Sequence, residues 1–228
     1  MAQNLFTTGV YTVPDAARLS GVSTWRIRRW LRGYHYRSGR RKQYRSRALW
    51  NGQLDPIEGS LALGFLDLIE IRFVESFLKA GVSWATLRAA HERGVKMFGC
   101  SHPFCTKGFA TDGRDIFVKL HKETGEPTLL EIARNQQVFS EITTPFLKEL
   151  EFDEGDLLVR WRPQTTHNLI VLDPARSFGR PIVSRPGIPT EVLNSALKAS
   201  SIADVCHWYE VEKAEVQDAA EFEQRLAA

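Results

Sequence analysis

Residues 11–33 read YTVPDAARLSGVSTWRIRRWLRG, and this run predicts a helix, a tight turn and a second helix. Pro14 suits the first turn of a helix, because proline has no N–H to lose there. The run Ser20-Gly21-Val22 is typical of a tight turn, and Ser23 can cap the helix that follows. Two short helices joined through such a turn are the pattern of a helix-turn-helix.

The second of these helices has two faces of opposite character. At 100° per residue, Ile27 and Leu31 share an inner face, while arginines project from the opposite one. After Gly33, tyrosines alternate with basic residues around Ser38-Gly39, which predicts a small basic hairpin, or wing.

The charge of the chain is uneven. The 228 residues have a formal net charge of only +3, yet residues 16–54 contain eleven basic residues and no acidic one, which gives that stretch +11. Such an excess attracts polyanions and releases condensed counterions. We therefore expect nucleic-acid binding, against the alternative of a solvated basic face. Duplex DNA is favoured over RNA, because a helix can enter the major groove of DNA but not that of A-form RNA.

The expected DNA contacts divide between the helix and the wing. Arg26, Arg29 and Arg32 are expected in or along the major groove, whereas Arg37, Arg40, Arg41 and Lys42 are expected to grip the phosphate backbone. The full set of expected DNA-binding residues is Ser23, Thr24, Trp25, Arg26, Arg28, Arg29, Arg32, Tyr36, Arg37, Arg40, Arg41, Lys42, Tyr44 and Arg45.

Three domains and an α+β fold are expected from the rest of the chain. Residues 1–100 should hold the basic head and a helical pair, since Leu66, Ile69, Phe73 and Phe77 recur at helical spacing and Ser83 can cap a second helix. Residues 101–175 are expected to form a β-rich middle, with an Asp112-Gly113 hairpin turn and strands at 157–161 and 169–172. Residues 176–228 are expected to form a small helical domain.

The head resembles a known family. Residues 11–23, the arginine-rich helix and the wing ending at Gln43-Tyr44 are similar to the winged helix-turn-helix of MerR-type regulators. Residues 65–70 and 81–88 resemble the helices that follow the wing in that family. The effector-binding dimerisation coiled coil of those regulators does not appear in the sequence.

A second resemblance lies near the end of the chain. Residues 173–174, 178–183 and 185–190, with the Gly-Ile-Pro element at 187–189, resemble a small domain of VapB-type antitoxins. The whole arrangement looks like the VapB45 subgroup of those antitoxins. This resemblance implies a homodimeric antitoxin that neutralises a PIN-like ribonuclease toxin and represses its own operon at a palindromic operator.

The C-terminal stretch is acidic. From Pro186 onward eight acids face three bases, a net charge of −5, so phosphates would repel this surface. It suits a basic protein partner such as a nuclease, and a solvated dimer-forming module is the alternative. The expected toxin contacts are Glu210, Glu212, Glu215, Asp218 and Glu221, while Trp208 and Tyr209 are expected in the core.

Catalytic and metal sites receive little support. Cys100, His102 and Cys105 are the candidate zinc ligands, but their spacing is at the edge of the usual range, so packed thiols and no metal are expected. No nucleophile, acid pair or phosphate loop appears, so we expect no enzyme and no cofactor.

With no signal peptide and no run long enough to span a bilayer, the expected location is the cytoplasm. The main alternative function is a stand-alone regulator with a ligand-responsive middle domain, and a nucleic-acid-processing enzyme ranks last.

Overall fold

The computed structural model describes residues 5–38, 42–125 and 136–227, and it mixes helices with strands in an α+β fold. The chain divides into two compact units. The head unit comprises Tyr11–Lys148 and Glu154–Leu158, and the tail unit comprises Met1–Val10, Glu149–Asp153 and Val159–Ala228. The units do not coincide with the three expected domains, because the strands after residue 149 belong with the C-terminal helices.

A short helix, α1 (Leu5–Thr8), opens the described chain and belongs to the tail unit. The head unit then contains, in chain order, β1 (Tyr11–Thr12), α2 (Val13–Ser20), α3 (Thr24–Arg32), β2 (Tyr34–Ser38), β3 (Lys42–Ser46), β4 (Ala62–Leu63), α4 (Phe65–Lys79), α5 (Trp84–Phe98), a 3₁₀ turn (Pro103–Cys105), α6 (Lys107–Thr124) and α7 (Gln136–Leu147). Strands β1 and β4 pair antiparallel, as do β2 and β3.

The helical pair is confirmed. Helix α4 ends before Gly81, and Ser83 caps α5 by accepting a hydrogen bond from the Thr86 N–H. The inner face of α4 joins a cluster of phenylalanine rings, in which the ring centroids of Phe77 and Phe117 lie 5.1 Å apart. Burial of these rings contributes to the apolar stabilisation of the head unit.

The hairpin expected at 109–118 is wrong, because those residues lie inside α6. Thr106 caps this helix by accepting from the Phe109 N–H, and Phe109, Ile116 and Leu120 are buried at helical spacing. Gly113 is not a turn residue. A Cβ atom there would lie 2.7 Å from the Phe109 ring, so glycine lets the ring pack against the helix. The described residues of the middle at 107–124 and 136–147 are therefore helical.

The tail unit is a four-stranded sheet with three helices. Its strands are β5 (Leu150–Phe152), β6 (Leu158–Trp161), β7 (Ile170–Leu172) and β8 (Pro181–Val183), in the spatial order β5-β6-β7-β8. Its helices are α8 (Thr190–Ala199), α9 (Ile202–Tyr209) and α10 (Lys213–Ala227). The predicted strands near 158 and 170 are confirmed, and β7 is buried at every residue. None of the described helices combines the length and apolarity needed to cross a membrane.

Candidate functional site

The two head helices are held in place by their own caps. Thr12 and Asp15 form a capping box at the start of α2, and Gly21 ends that helix with φ of +70°, in the left-handed region that glycine favours. Ser23 then caps α3 by accepting from the Arg26 N–H. Helix, turn and helix thus lie at the residues that the sequence predicts.

Helix α3 buries one face and exposes the other. Ile27 and Leu31 are buried as expected, and Trp30 is buried with them, stacked 6.0 Å from Trp84. On the outer side Arg28 is exposed and Trp25 is 61% exposed. This side of the helix is available to a partner.

Arg29 joins α3 to the hairpin. Its guanidinium lies 4.2 Å from the ring centroid of Trp25 and 3.4 Å from that of Tyr34. Cation–π attraction at such distances holds the guanidinium in one place. Arg29 is therefore a preorganised cation at the junction of helix and hairpin.

Arg26 does not belong to the outward array that the sequence predicts. Its two guanidinium nitrogens Nη1 and Nη2 lie 2.9 and 2.8 Å from the two carboxylate oxygens of Glu75, a buried residue of α4. The guanidinium also lies 5.0 Å from the Trp30 ring centroid. Arg26 thus fastens α3 to α4, because one hydrogen bond and a second close charge contact with a buried carboxylate fix its direction.

The hairpin separates aromatic from basic residues. Tyr36 pairs with Tyr44 across the strands, and their exposed rings stack at 5.5 Å, with the Tyr34 ring 5.8 Å from Tyr36. His35 pairs with Arg45 on the other face, where both are exposed. Arg40 and Arg41 lie outside the described residues, and for Arg37 and Lys42 only the strand positions are described.

The base of the hairpin is clamped to the helices. The Leu49 N–H donates to the Trp30 carbonyl at 2.7 Å, and Arg88 of α5 donates to the carbonyls of Ala48 and Arg47, each at 2.7 Å. No local sequence pattern indicates these contacts, because their partners lie about forty residues before Arg88.

The remaining expected DNA contacts lie at the ends of α3. Thr24 opens the helix, and Arg32 at its last residue is exposed, with Nη2 3.4 Å from the Gly59 carbonyl oxygen. Arg45 of the hairpin is also exposed. Through Arg29 and Tyr34 the structure brings the outer side of α3 and the tyrosine face of the hairpin together into one basic and aromatic surface. We call it the head surface: Trp25, Arg28, Arg29, Arg32, Tyr36 and Tyr44.

The three candidate zinc ligands have other partners. His102 Nε2 lies 2.8 Å from Asp67, which also accepts from the Trp50 indole at 2.7 Å. Burial lowers the pKa of His102, but the hydrogen bond to Asp67 and the charges of Glu70 and Asp67 leave that pKa raised. Burial and the Glu70 charge hold the pKa of Cys105 well above its ordinary value, and its thiol donates to Glu70 at 3.1 Å.

Burial likewise raises the pKa of the Cys100 thiol. A protonated thiol is a poor metal ligand. Within the described ranges, no three histidine, cysteine or acidic side chains are grouped so as to hold a metal ion.

Two of the expected toxin contacts are buried in the tail unit. Asp218 is fully buried and accepts from the Thr165 hydroxyl at 2.6 Å and from the N–H groups of His167 and Leu169, both at 2.9 Å. Glu215 is also buried and accepts from the Glu212 N–H at 2.8 Å. Both carboxylates are therefore turned into the tail unit, where they support the fold, and their contact with a toxin stays a prediction.

The other three expected contacts lie nearer the surface. Glu221 is half-buried and accepts from the N–H and hydroxyl of Thr166 at 3.2 and 2.5 Å. Glu210 and Glu212 are exposed, and Glu212 lies 3.2 Å from Arg185.

Trp208 does not lie in the core, as the sequence analysis expects, but is 60% exposed, and Tyr209 is half-buried. Val205 of α9 is buried, whereas Trp208, in the last turn of the helix, is exposed although it follows Val205 by only three residues.

No protein-family model matches the chain, but the chain is similar to known proteins both in sequence and in fold. The chain is 24% identical, over 224 residues, to a Mycobacterium tuberculosis protein named "Putative antitoxin VapB45", with 94% of this chain and 93% of the relative covered. It is also similar to a crystal structure of the M. tuberculosis protein Rv2018, with a TM-score of 0.71 and 22% identity, covering 92% of this chain and 96% of that one. The structural match shows a shared fold along nearly the whole chain.

Proposed function

We propose that this protein is the antitoxin of a type II toxin–antitoxin pair, that it neutralises a PIN-like ribonuclease, and that it represses its own operon by binding DNA as a homodimer. The full-length similarity to a protein named as an antitoxin is the observation that carries the antitoxin role. The alignment with this relative extends over both the head unit and the tail unit. It therefore favours a function that needs both units over one confined to the head.

The DNA-binding part of the proposal stands on the head surface. A winged helix-turn-helix of the MerR type would place α3 in the major groove and the hairpin along the backbone. Arg28, Arg29 and Arg32 can address guanine edges or phosphates with a planar fork of donors. Arg26 positions α3 through Glu75 and makes no DNA contact in this scheme. In a homodimer, two heads would meet half-sites about one helical turn apart.

A mobility-shift titration with the DNA upstream of the gene tests this part. Changing Arg29 and Arg32 to alanine together should weaken binding and flatten its dependence on salt, because fewer counterions are released. Lys119→Ala is the matched control, since it removes an exposed cation of α6 in the same unit. Equal affinity of the double variant and the wild type would overturn the assignment of the head surface.

The antitoxin part is tested by co-expression with the product of the neighbouring reading frame. The wild-type chain should rescue growth and co-purify with that ribonuclease. If no nuclease co-purifies and growth is not rescued, the antitoxin role fails.

One observation favours a second function, a stand-alone regulator. A cavity of about 410 Å³ in the head unit is lined by Leu49, Trp50, His91 and Lys96, among others, next to the base of the hairpin. A ligand there could alter the position of the hairpin, although the site differs from the middle domain that the sequence analysis favours. The absence of a nuclease gene beside this one would favour the regulator.

A further inference from the structure

The indole of Trp208 is exposed on the surface of the tail unit. Among the described large apolar side chains of the tail unit, it is the most exposed, at 60%. Tryptophan is enriched at the centres of protein–protein interfaces, because its large rigid ring buries much area at low entropic cost. It lies on the last turn of α9, beside His207.

A groove of about 550 Å³ opens at the same end of α9. Its lining includes Cys206 and His207 of the helix, Glu210 and Glu212 of the following turn, and the Arg185-Pro186 pair. Glu215 closes it from α10, with its carboxylate turned to the Glu212 N–H. Carboxylates outnumber cations here, since Arg185 is the single lysine or arginine in the lining and already faces Glu212 at 3.2 Å.

Glu210 occupies a backbone position that favours glycine. Its φ is +53° and its ψ is +44°, in the left-handed region, where it ends α9. Glycine adopts this conformation without steric cost, whereas a residue with a Cβ is strained there. The chain therefore keeps a carboxylate on the groove at some cost to stability.

We propose that Trp208 with His207, Glu210 and Glu212, which we call the Trp208 surface, binds the RNA-binding face of the partner ribonuclease by receiving its arginines. A guanidinium can stack on the exposed indole, and guanidinium groups can pair with the carboxylates of the groove beside it. The RNA-binding face of a nuclease must be basic to attract phosphates, so an acidic surface with an exposed indole complements it. This inference rests on the proposed function and adds the surface by which the antitoxin would contact the ribonuclease.

The test is the affinity of the full-length chain for the ribonuclease of the neighbouring reading frame, prepared as a catalytically inactive variant and titrated by calorimetry. Trp208→Ala should weaken binding by about 30-fold or more, as truncation of an interface hot spot does. Val192→Ala, which trims an exposed apolar residue of α8, should bind like the wild type.

Glu210→Gly separates a binding role from a structural one. It removes the carboxylate and relieves the left-handed strain, so the melting temperature should stay the same or rise while affinity falls by about tenfold. Glu191→Gln removes an exposed acid of α8 and is the control for charge. If Glu210 had only a structural role, the affinity of Glu210→Gly for the ribonuclease would equal that of the wild type.

The outcomes separate the two proposals. If the wild type does not bind the nuclease, the antitoxin role itself fails. If the wild type binds and both Trp208→Ala and Glu210→Gly bind equally well, the antitoxin role stands and the Trp208 surface is overturned. The surface is also overturned if the α8 controls lose as much affinity as the two test variants.

Discussion

The head and the tail use their charges in opposite ways. In the head, arginines between residues 16 and 54 stay at the surface, as Arg28, Arg32 and Arg45 do. In the tail, Glu215, Asp218 and Glu223 are buried and accept hydrogen bonds from the unit's own N–H and hydroxyl groups. Counting charges in the sequence therefore identifies surface residues in the head, but in the tail several of the counted charges lie in the interior.

The difference follows from what each charge can find as a partner. An arginine needs a carboxylate or a carbonyl before it can be buried, and residues 16–54 contain no carboxylate. Arg26 is drawn inward because Glu75 reaches it from α4. A carboxylate only accepts hydrogen bonds, and two backbone N–H groups with one hydroxyl satisfy Asp218, whereas a guanidinium carries five N–H donors that need acceptors. Unequal burial of the two signs is thus expected wherever a basic run contains no acid of its own.

Removal of the Asp218 carboxylate should have the largest effect. Asp218→Ala leaves two backbone donors and the Thr165 hydroxyl without their acceptor inside the tail unit, so we expect a loss of about 3 kcal/mol in the free energy of unfolding. Chemical denaturation of the full-length protein measures this loss. Glu212→Ala removes an exposed acid and should change stability by less than about 0.5 kcal/mol. Equal stability of the two variants would contradict an interior role for Asp218.

Gly33→Ala should disturb the head by an intermediate amount. Gly33 has φ of +72° and ψ of −177°, a region that is nearly exclusive to glycine, and a Cβ there would overlap the Ser46 carbonyl. We expect a loss of about 2 kcal/mol, with weaker DNA binding because the hairpin must move.

Gly21→Ala is the control for Gly33→Ala. Gly21 has φ of +70°, but a Cβ there would meet no atom within 4 Å, so strain alone should cost about 1 kcal/mol. A smaller loss in the free energy of unfolding for Gly33→Ala than for Gly21→Ala would show that the hairpin base is not tightly seated against the helix end.

Glu75→Gln tests the inward contact of Arg26. The substitution keeps the shape but removes the charge facing Arg26, which is itself about one-third exposed and still partly solvated. We expect a loss of about 1–2 kcal/mol in the free energy of unfolding, measured by denaturation. DNA affinity should fall through the position of α3, while the slope of affinity against salt stays as in the wild type. A reduced slope would mean that Arg26 contacts phosphate after all.

Local patterns predicted much of this fold. The caps at Ser23 and Ser83, the turn at Gly21 and the helix pair beyond the hairpin follow from residues close in sequence, and the structure has each of them. The hairpin predicted at Asp112-Gly113 failed because a turn dipeptide outweighed the helical spacing of Phe109, Ile116 and Leu120. That spacing was present in the sequence and is the better indicator over a stretch this long.

The candidate site was harder to predict, because its supports come from far along the chain. Glu75 lies 49 residues from Arg26, and Thr165 lies 53 residues from Asp218. Asp218 did carry one local signal: it shares a helix face with the apolar Phe222, four residues later, which is buried. For Trp208 no local signal existed, because an indole on a short apolar helix is buried or exposed according to its neighbours in space.

Arg28→Ala should have the smallest effect on stability and the most specific effect on binding. The Arg28 side chain is exposed on the outer side of α3, so its loss should change the free energy of unfolding by less than about 0.5 kcal/mol. Affinity for operator DNA should fall, and the slope of log affinity against log salt should decrease by about 1, because one phosphate contact is lost. Glu75→Gln shows the reverse pattern, with lower stability and an unchanged slope. If Arg28→Ala left both affinity and slope unchanged, exposure of a cation in the head would not be enough to identify a DNA contact. The contrast between exposed arginines in the head and buried carboxylates in the tail would then describe the fold alone and not DNA binding.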